Sequence, residues 1–363
     1  MQSGRSRVAA VVAALALVGS IFWASFAPAS EVQAPEKVLV TGLSSPKGLS
    51  ISPFGDPVVA QGAFGAPGYV LEHRFRAKYK DLTLPITERL NVVDVAVAAD
   101  RSGWGLIQGE GPVAYLEHRD VRTGEADLTF DIGAYQAAHP DPSDLEGDPG
   151  ESNPYALAVL GNGDAIVADA AHNSILRVSV TGEVTTVARL VPETVATDHL
   201  PEGEEPFPPE VPSEAVPSGL AVGSDGNIYV GELQGFPFRP GTSDVWKIDP
   251  DAEEAVCDKA VADPGCQLFA TGFTAIQDVA LDPQGRLYVY QLAADGVLAF
   301  EEGFETGAFP PAVLLRVKGS RRVELAAGEL SEPGGVAVSA QGRVYVTDHV
   351  FTPDAGRLLR IVG

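Results

Sequence analysis

The sequence has few of the residues on which metal and disulfide scaffolds depend. Its 363 residues include two cysteines, six histidines and one methionine. These counts exclude a cysteine-rich zinc scaffold, an iron–sulfur protein and a small domain held by several disulfide bonds. The sequence also contains no H-E-x-x-H, G-x-S-x-G, Walker or G-x-G-x-x-G motif, so the common signatures of zinc hydrolases, serine hydrolases and nucleotide-binding proteins are absent.

Basic residues are scarce relative to acidic ones. The chain has 25 lysines and arginines against 49 aspartates and glutamates, which gives a formal net charge of −24. A chain of this charge repels the phosphates of DNA and RNA, so nucleic acid is excluded as a partner. Hydrophobic residues make up 45% of the sequence, which indicates a folded protein and not a disordered one.

The first 29 residues resemble a secretory signal peptide. Arg5 and Arg7 precede an apolar run from Val8 to Phe26, and Ala27, Pro28 and Ala29 form an A-x-A-like cleavage site. The alternative is an uncleaved membrane anchor over residues 8–27, because the run is nearly long enough to span a bilayer. Both interpretations predict a secreted, periplasmic or cell-surface protein, which would contact a membrane only through this segment and only if the segment is not cleaved.

The two cysteines, Cys257 and Cys266, lie in a hydrophilic stretch of the chain. An even pair in an exported protein favours a structural disulfide over two free thiols. Neither a C-x-x-C spacing nor a neighbouring histidine is present, so a redox or metal role is not indicated.

One phrase recurs six times along the chain. Each instance begins with a strand in which small and apolar residues alternate. A turn containing glycine follows, and then a second apolar strand that ends in a polar residue. Aligned on the third residue of each phrase, the repeats give the anchor positions Gly48, Asp94, Ala156, Gly219, Asp278 and Gly335. Turns such as GNGD and SDGN place glycine where a β-hairpin needs a positive φ.

A third and usually a fourth apolar strand follow each hairpin. Four antiparallel strands repeated six times predict an all-β, six-bladed β-propeller that occupies residues 37–363 as a single domain. The last repeat has only three strands, and a lone strand from Lys37 precedes the first repeat. We therefore expect the N-terminal strand to complete the last blade and close the ring.

The predicted topology assigns the loops to two faces. Tight turns join strands one and two at the face that we call the bottom, and most long connections lie at the opposite, top face. Strand two of each repeat ends in a polar side chain: Gln61, Gln108, Asp169, Glu232, Gln291 and Asp348. These residues either form a ligand-binding ring or accept hydrogen bonds from loop backbone, and a role common to all six repeats favours the second interpretation.

Asp94 and Asp278 belong to the second and fifth repeats, which lie opposite each other in a ring of six. Two carboxylates facing each other across a channel are candidates for a Ca²⁺ site or an acid–base pair, with Asn91 and Asn153 as further oxygen ligands. The alternative is that each aspartate bonds to the backbone of the next blade. His349, which follows Asp348 at a top-face position, is the one histidine that is a candidate for a functional role. The acidic run from Asp141 to Glu151 lacks the spacing of an EF-hand and is interpreted as a solvated loop.

The phrases SNPYALAVLGNGDAIVADAAHNSILRV, VPSGLAVGSDGNIYVGELQGFPFRPGTSDVWKI and PGGVAVSAQGRVYVTD resemble the ScyD/ScyE family. That resemblance covers about residues 37–363 and implies an exported, NHL-like six-bladed propeller. The family supplies no catalytic residues to transfer, and the first two repeats depart from its pattern.

The sequence therefore favours a binding module without catalysis, whose partner is a protein or a small molecule at the top face. A Ca²⁺-dependent hydrolase or lactonase with channel carboxylates is the first alternative, by analogy with other six-bladed rings. A structural component of the cell envelope is the second.

Overall fold

A computed structural model describes residues 36–362 apart from 64–67, 76–79, 88–90, 110–113, 121–122, 124 and 202–206. The predicted signal segment over residues 1–29 lies outside the described residues. Six antiparallel sheets form the predicted six-bladed propeller. Each innermost strand contacts the innermost strand of the next blade, and the last contacts the first, so the blades close into a ring.

The six blades follow one another along the chain. Blade 1 contains β2 (Leu49–Ile51), β3 (Pro57–Gln61), β4 (Gly68–Glu72) and β5 (Leu82–Thr87). Blade 2 contains β6 (Asn91–Val97), β7 (Ser102–Gln108), β8 (Ala114–Asp120) and β9 (Ala126–Asp131). Blade 3 contains β10 (Pro154–Val159), β11 (Ala165–Asp169), β12 (Ser174–Val178) and β13 (Val184–Leu190).

The second half of the ring repeats this order. Blade 4 contains β16 (Pro217–Val222), β17 (Ile228–Glu232), β18 (Ser243–Ile248) and β20 (Cys266–Phe273). Blade 5 contains β21 (Ile276–Leu281), β22 (Leu287–Gln291), β23 (Val313–Lys318) and β24 (Arg321–Leu325). Blade 6 contains β25 (Val336–Val338), β26 (Val344–Asp348) and β27 (Gly356–Ile361), and its fourth strand is β1 (Glu36–Leu43).

The ring closes as predicted. β1 pairs antiparallel with β27, from Glu36 opposite Ile361 to Leu43 opposite Gly356. The hairpin turns also have the expected conformation: Gly163 and Gly226 have φ values of 96° and 83°, which L-residues with a Cβ rarely adopt. The sequence pattern and the backbone therefore agree at the first turn of these blades.

Packing between neighbouring blades supplies the hydrophobic core. One buried cluster joins blades 2 and 3 through Trp104, Leu116, Leu157 and Val167. The indole Nε1 of Trp104 donates a 2.9 Å hydrogen bond to the carbonyl of Gly163, so even the polar atom of this side chain is paired across the blade boundary.

Insertions add three features to the regular ring. The top-face connection after blade 3 forms a hairpin of β14 (Glu193–Ala196) and β15 (Glu210–Ser213). β19 (Ala255–Cys257), from blade 4, adds to blade 3 as a fifth strand parallel to β13. Two helices, α1 (Ile132–Ala138) and α2 (Gly296–Thr306), lie in top-face connections that the sequence pattern had indicated only as long loops.

Candidate functional site

Asp94 and Asp278 each tie one blade to the next. Asp94 accepts hydrogen bonds from the backbone N–H of Val95 at 2.7 Å and, in blade 3, from that of Leu157 at 2.8 Å. Asp278 bonds in the same way to Val279 and, in blade 6, to Val336, both at 2.8 Å. The carboxylates thus satisfy backbone donors on two neighbouring inner strands.

Glycine at the same repeat position of the preceding blade makes room for each aspartate. A Cβ on Gly48 would lie 2.5 Å from the Cα of Asp94, and one on Gly219 would lie 2.7 Å from the Cα of Asp278. Real Cβ atoms do not approach a backbone this closely, so the inner strands can meet at these points only where glycine is present. This packing explains why the anchor is glycine in blades 1 and 4, which precede the blades of Asp94 and Asp278.

Lys47 brings a buried positive charge into the channel. The residue is 5% exposed, and its Nζ donates a 2.6 Å hydrogen bond to the carbonyl oxygen of Tyr155. The same Nζ lies 3.5 Å from the centre of the Tyr155 ring. Lys47 precedes blade 1 and Tyr155 belongs to blade 3, so this contact spans the channel and combines a hydrogen bond with a cation–π interaction.

Tyr155 and Gln277 continue the network to blade 5. Gln277 Nε2 donates to the Tyr155 hydroxyl at 2.9 Å. Lys47, Tyr155 and Gln277 are 5%, 6% and 4% exposed, so side chains from three alternate blades fill the channel at this level. We call Lys47, Asp94, Tyr155, Gln277 and Asp278 the channel network.

Burial changes the protonation behaviour of the channel network. It raises the pKa of Asp94 to about 6, although the charge of Lys47 and two backbone N–H donors act in the opposite direction. Burial, followed by the charge of Asp94, raises the pKa of Asp278 to about 7. Burial lowers the pKa of Lys47 to about 8 against the attraction of both carboxylates. Groups that titrate near neutrality in an enclosed site are candidates for acid–base chemistry.

The channel residues suit a Ca²⁺ ion poorly. One oxygen of each aspartate accepts from its own strand and the other from the next blade. Lys47 already supplies positive charge between blades, whereas Ca²⁺ needs six to eight oxygen ligands. Ca²⁺ ligation by Asp94 and Asp278 remains a prediction from the sequence, and this arrangement does not favour it.

Three of the six polar residues that end strand two accept hydrogen bonds from backbone. Gln61 accepts from Ser44 N at 3.1 Å and Gln291 accepts from Thr274 N at 3.0 Å. Asp169 accepts from Asn153 N at 2.7 Å. In each case the donor lies just before the inner strand of the same blade, so the side chain fixes the entry of the chain into that strand.

The other three have side-chain partners. Gln108 Nε2 donates to Asn153 Oδ1 at 2.5 Å, and Arg357 Nε donates to Asp348 at 2.9 Å. Glu232 accepts from the indole Nε1 of Trp246 at 3.0 Å. The six residues therefore make local contacts near their own blades, and two of them, Gln108 and Asp169, share the partner Asn153.

Asn91, Asn153 and His349 complete the set predicted from the sequence. Asn91 begins β6 and pairs in register with Gln108, which also contacts Asn153. His349 has a positive φ of 54°, and its Nδ1 lies 3.1 Å from the carboxylate of Asp348. None of these three residues is hydrogen-bonded to Asp94 or Asp278 among the described contacts.

A second group of acidic side chains lies away from the channel. Single carboxylate oxygens of Glu193, Glu232 and Asp244 lie within 4.8 Å of one another. Lys259 Nζ lies 2.6 Å from an oxygen of Glu193 and 2.6 Å from one of Asp244. We call these four residues the acidic junction, because they join the β14–β15 hairpin, blade 4 and the segment after β19.

Glu232 differs from the other members of the acidic junction. It is 2% exposed, its Oε2 accepts from Trp246, and its Oε1 has no hydrogen-bond partner. Burial raises the pKa of Glu232 well above its ordinary value. The sequence pattern identified Glu232 from its repeat position, but it gave no signal for Glu193, Asp244 or Lys259.

Cys257 and Cys266 form a disulfide bond in the structure. Cys257 ends β19 and Cys266 begins β20. The bond closes the loop that carries Lys259, so it restricts where that side chain can lie.

The top face has a small hydrophobic core of its own. Phe300 and Phe304 of α2 pack against Phe309 and Phe351. The ring centre of Phe300 lies 5.0 to 5.8 Å from the ring centres of the other three phenylalanines. Gly303 allows this packing, because a Cβ there would collide with the Phe309 ring. Aromatic packing of this kind orders the connection between strands two and three of blade 5.

An acidic patch covers another part of the top face. It consists of Asp144, Glu146, Asp148, Glu151 and Glu214, together with Asp141, which is only 7% exposed. Burial and the neighbouring carboxylates raise the pKa of Glu146 and of Glu151, and burial raises that of Glu214 to about 7, with Asp141 adding to the effect. Within the part of the chain that the structure describes, no lysine or arginine forms an ion pair with these six residues.

Comparison with known proteins supports the fold. No protein-family model and no curated protein matches the chain. An oxidoreductase (glucose dehydrogenase) from Thermus thermophilus superposes with a TM-score of 0.54 at 19% identity, covering 90% of this chain and 98% of that one. The PQQ-bound aldose sugar dehydrogenase from Streptomyces coelicolor gives 0.51 at 15% identity, with 89% and 96% covered.

A protein described as a gluconolactonase gives a TM-score of 0.50 at 11% identity, covering 91% of this chain and 92% of that one. At these identities the likeness concerns the propeller and not its chemistry. Among the residues described, no helix is long and apolar enough to cross a membrane.

Proposed function

We propose that this protein is an exported, non-catalytic binding module that receives a positively charged partner at the acidic patch of its top face. The observation that carries the proposal is the patch itself, where six carboxylates crowd together without a lysine or arginine partner among the described residues. A cationic ligand would relieve their mutual repulsion and would be attracted from a distance by the negative field.

The arrangement of the channel supports a role in binding rather than in turnover. Lys47, Tyr155 and Gln277 fill the channel, and both aspartates are engaged with backbone donors. The α2 aromatic cluster gives the top face an ordered surface, as expected of a docking platform. Export is supported by the N-terminal sequence and by the disulfide, since such bonds persist in oxidising compartments. ScyD/ScyE membership is supported by the sequence phrases alone.

A matched pair of variants tests the charge of the partner. The patch variant is Glu146→Gln with Asp148→Asn and Glu151→Gln. The control variant is Glu125→Gln with Glu183→Gln and Glu253→Gln, which removes the same charge from exposed turns on the bottom face. Binding of an oligolysine peptide is measured by calorimetry at low and physiological ionic strength. We expect about tenfold weaker binding for the patch variant, at roughly 0.2–1 kcal/mol per surface pair. An equal loss of affinity in the two variants would mean that binding depends on the net charge of the protein and not on the acidic patch.

A lactonase-type hydrolase is the second candidate, and one observation favours it. Asp94, Asp278 and Lys47 have pKa values of about 6, 7 and 8, the range in which side chains act as acids and bases. The test is turnover of gluconolactone in the presence of Ca²⁺, a substrate suggested by the structural neighbour that is described as a gluconolactonase. We expect no turnover, and activity that disappears in Asp278→Asn would replace the binding proposal with this one.

A further inference from the structure

We propose that the acidic junction is a Ca²⁺ site in which Glu193, Glu232 and Asp244 bind the ion and the ammonium of Lys259 occupies their free coordination positions when the ion is absent. This site is separate from the channel and from the acidic patch. Its residues come from three segments of the chain that meet only in the folded ring.

The spacing of the three carboxylates agrees with one Ca²⁺ ion. Oxygen ligands lie about 2.3–2.6 Å from Ca²⁺, so two ligands of one ion are at most about 5 Å apart. The three oxygens of the junction lie within 4.8 Å of one another. Carboxylates are hard oxygen donors, and no thiolate or imidazole is present in the group to favour zinc or copper.

The unpaired oxygen of Glu232 is the second observation, and it points to a missing ligand. Buried carboxylate oxygens are normally hydrogen-bonded, yet Oε1 of this 2% exposed residue has no partner. The other oxygen of Glu232 is held by Trp246, which fixes the orientation of the carboxylate. An ion bound to Oε1 would supply the partner that the protein does not provide.

Lys259 can leave the site without disturbing the ring. Its side chain is 33% exposed and lies on the loop closed by the disulfide, whereas Glu232 and Asp244 are on adjacent strands of blade 4. The ammonium of Lys259 brings one positive charge to the three carboxyl groups, whereas a Ca²⁺ ion would bring two. Lys259 therefore competes with the ion, and its removal should strengthen binding.

Calorimetric titration of the EDTA-treated, desalted protein with Ca²⁺ tests the proposal. We expect one ion per chain, at least about tenfold weaker affinity in Glu232→Gln and in Glu193→Gln, and tighter binding in Lys259→Met. Asp225→Asn, which removes a carboxylate paired to Lys247 in the same blade, is the control and should bind as the wild type does. Absence of Ca²⁺ binding in both the wild type and Lys259→Met would overturn the proposal, as would undiminished binding in Glu232→Gln.

Terbium luminescence locates the ion independently of these variants. Tb³⁺ replaces Ca²⁺ at oxygen sites and is sensitised by a nearby excited indole, and Trp246 donates directly to Glu232. We expect sensitised emission that Ca²⁺ displaces and that Trp246→Phe abolishes. Emission that survives Trp246→Phe, or Ca²⁺ binding lost in Asp278→Asn but kept in Glu232→Gln, would place the ion elsewhere and refute the inference.

Discussion

The channel network and the acidic junction contain the same kinds of residue in different surroundings. Each combines carboxylates with one lysine. In the channel, each aspartate accepts hydrogen bonds from two backbone N–H groups, and Lys47 is 5% exposed. In the junction, Glu232 keeps an unpaired oxygen and the Lys259 side chain is 33% exposed. The aspartates bonded to the backbone of two inner strands therefore hold the ring together, whereas Glu232, which the insertions bring close to Glu193 and Lys259, keeps an oxygen available for a ligand.

Replacing each lysine by methionine should separate the two regions most strongly. Lys47→Met leaves two buried carboxylates without their counter-charge, and we expect the free energy of unfolding to fall by about 3–5 kcal/mol. Lys259→Met removes two ion pairs, with Glu193 and Asp244, but the lysine side chain is 33% exposed, so solvent can reach the vacated position and the loss should be only about 1 kcal/mol. Urea denaturation measures both values. Similar losses of unfolding free energy in the two variants would mean that the burial of the lysine does not distinguish the channel network from the acidic junction.

The disulfide should stabilise the side of the ring that contains the junction. Cys257→Ser combined with Cys266→Ser opens a short loop, and we expect a loss of about 2–3 kcal/mol from the greater freedom of the unfolded chain. The thermal midpoint of the wild type in reducing agent should match that of the double variant. A midpoint that neither change affects would show that the loop is held by other contacts.

Glycine-to-alanine changes test the close approach of the inner strands. Gly219→Ala places a Cβ 2.7 Å from the Cα of Asp278 and should cost about 1–3 kcal/mol through overpacking. Gly161→Ala is the control, because no atom lies within 4 Å of its added Cβ, and a change within about 0.5 kcal/mol is expected. Chemical denaturation of the two variants under one set of conditions gives the comparison.

The pH dependence of stability should have opposite signs for a channel aspartate and a surface aspartate. The pKa of Asp278 rises on folding from 3.8 to about 7, mainly through burial, so its contribution to stability falls as pH rises between those values. The pKa of Asp225 falls from 3.8 to about 2: although burial acts in the opposite direction, hydrogen bonds from Lys247, Tyr229 and Asn227 prevail. The contribution of Asp225 to stability, which is smaller than that of Asp278, is therefore lost as the pH falls from 3.8 to about 2.

Denaturation curves of wild type, Asp278→Asn and Asp225→Asn between pH 2 and 8 measure this effect. The difference between wild type and Asp278→Asn should decrease with rising pH, and the difference for Asp225→Asn should increase between about pH 2 and 4. Parallel curves for Asp278→Asn and the wild type would contradict the burial of this carboxyl.

The architecture could be predicted because each blade repeats one local signal. Alternating apolar residues and a turn glycine such as Gly163 specify a hairpin without reference to the rest of the chain. The helices were not predicted, because α2 depends on packing outside its own residues: Phe300 and Phe304 contact Phe309 just after the helix and Phe351 of blade 6. Gly303 weakens its helical pattern, and that glycine is explained only by the ring of Phe309 lying against it.

The candidate sites were only partly predictable. Asp94 and Asp278 stood out as departures from small residues at a repeat position. Lys47, Tyr155 and Gln277 each precede an anchor, but the equivalent residues of the other blades are unlike them, so periodicity could not identify them. Glu193 and Lys259 are 66 residues apart and meet because β19 crosses to blade 3, an event that no local pattern specifies.

The pairing of β1 with β27 also determines how the ring would carry a mechanical load. β1 runs from Glu36 at the bottom edge of blade 6 toward the top, alongside Gly356–Ile361. Glu36 therefore lies on the side opposite the acidic patch. Tension between a partner held at the top and an attachment through the N-terminus would pull β1 along its own axis. All the hydrogen bonds of the closing pair would then share the force, and the strand would resist by shear instead of being peeled away one bond at a time.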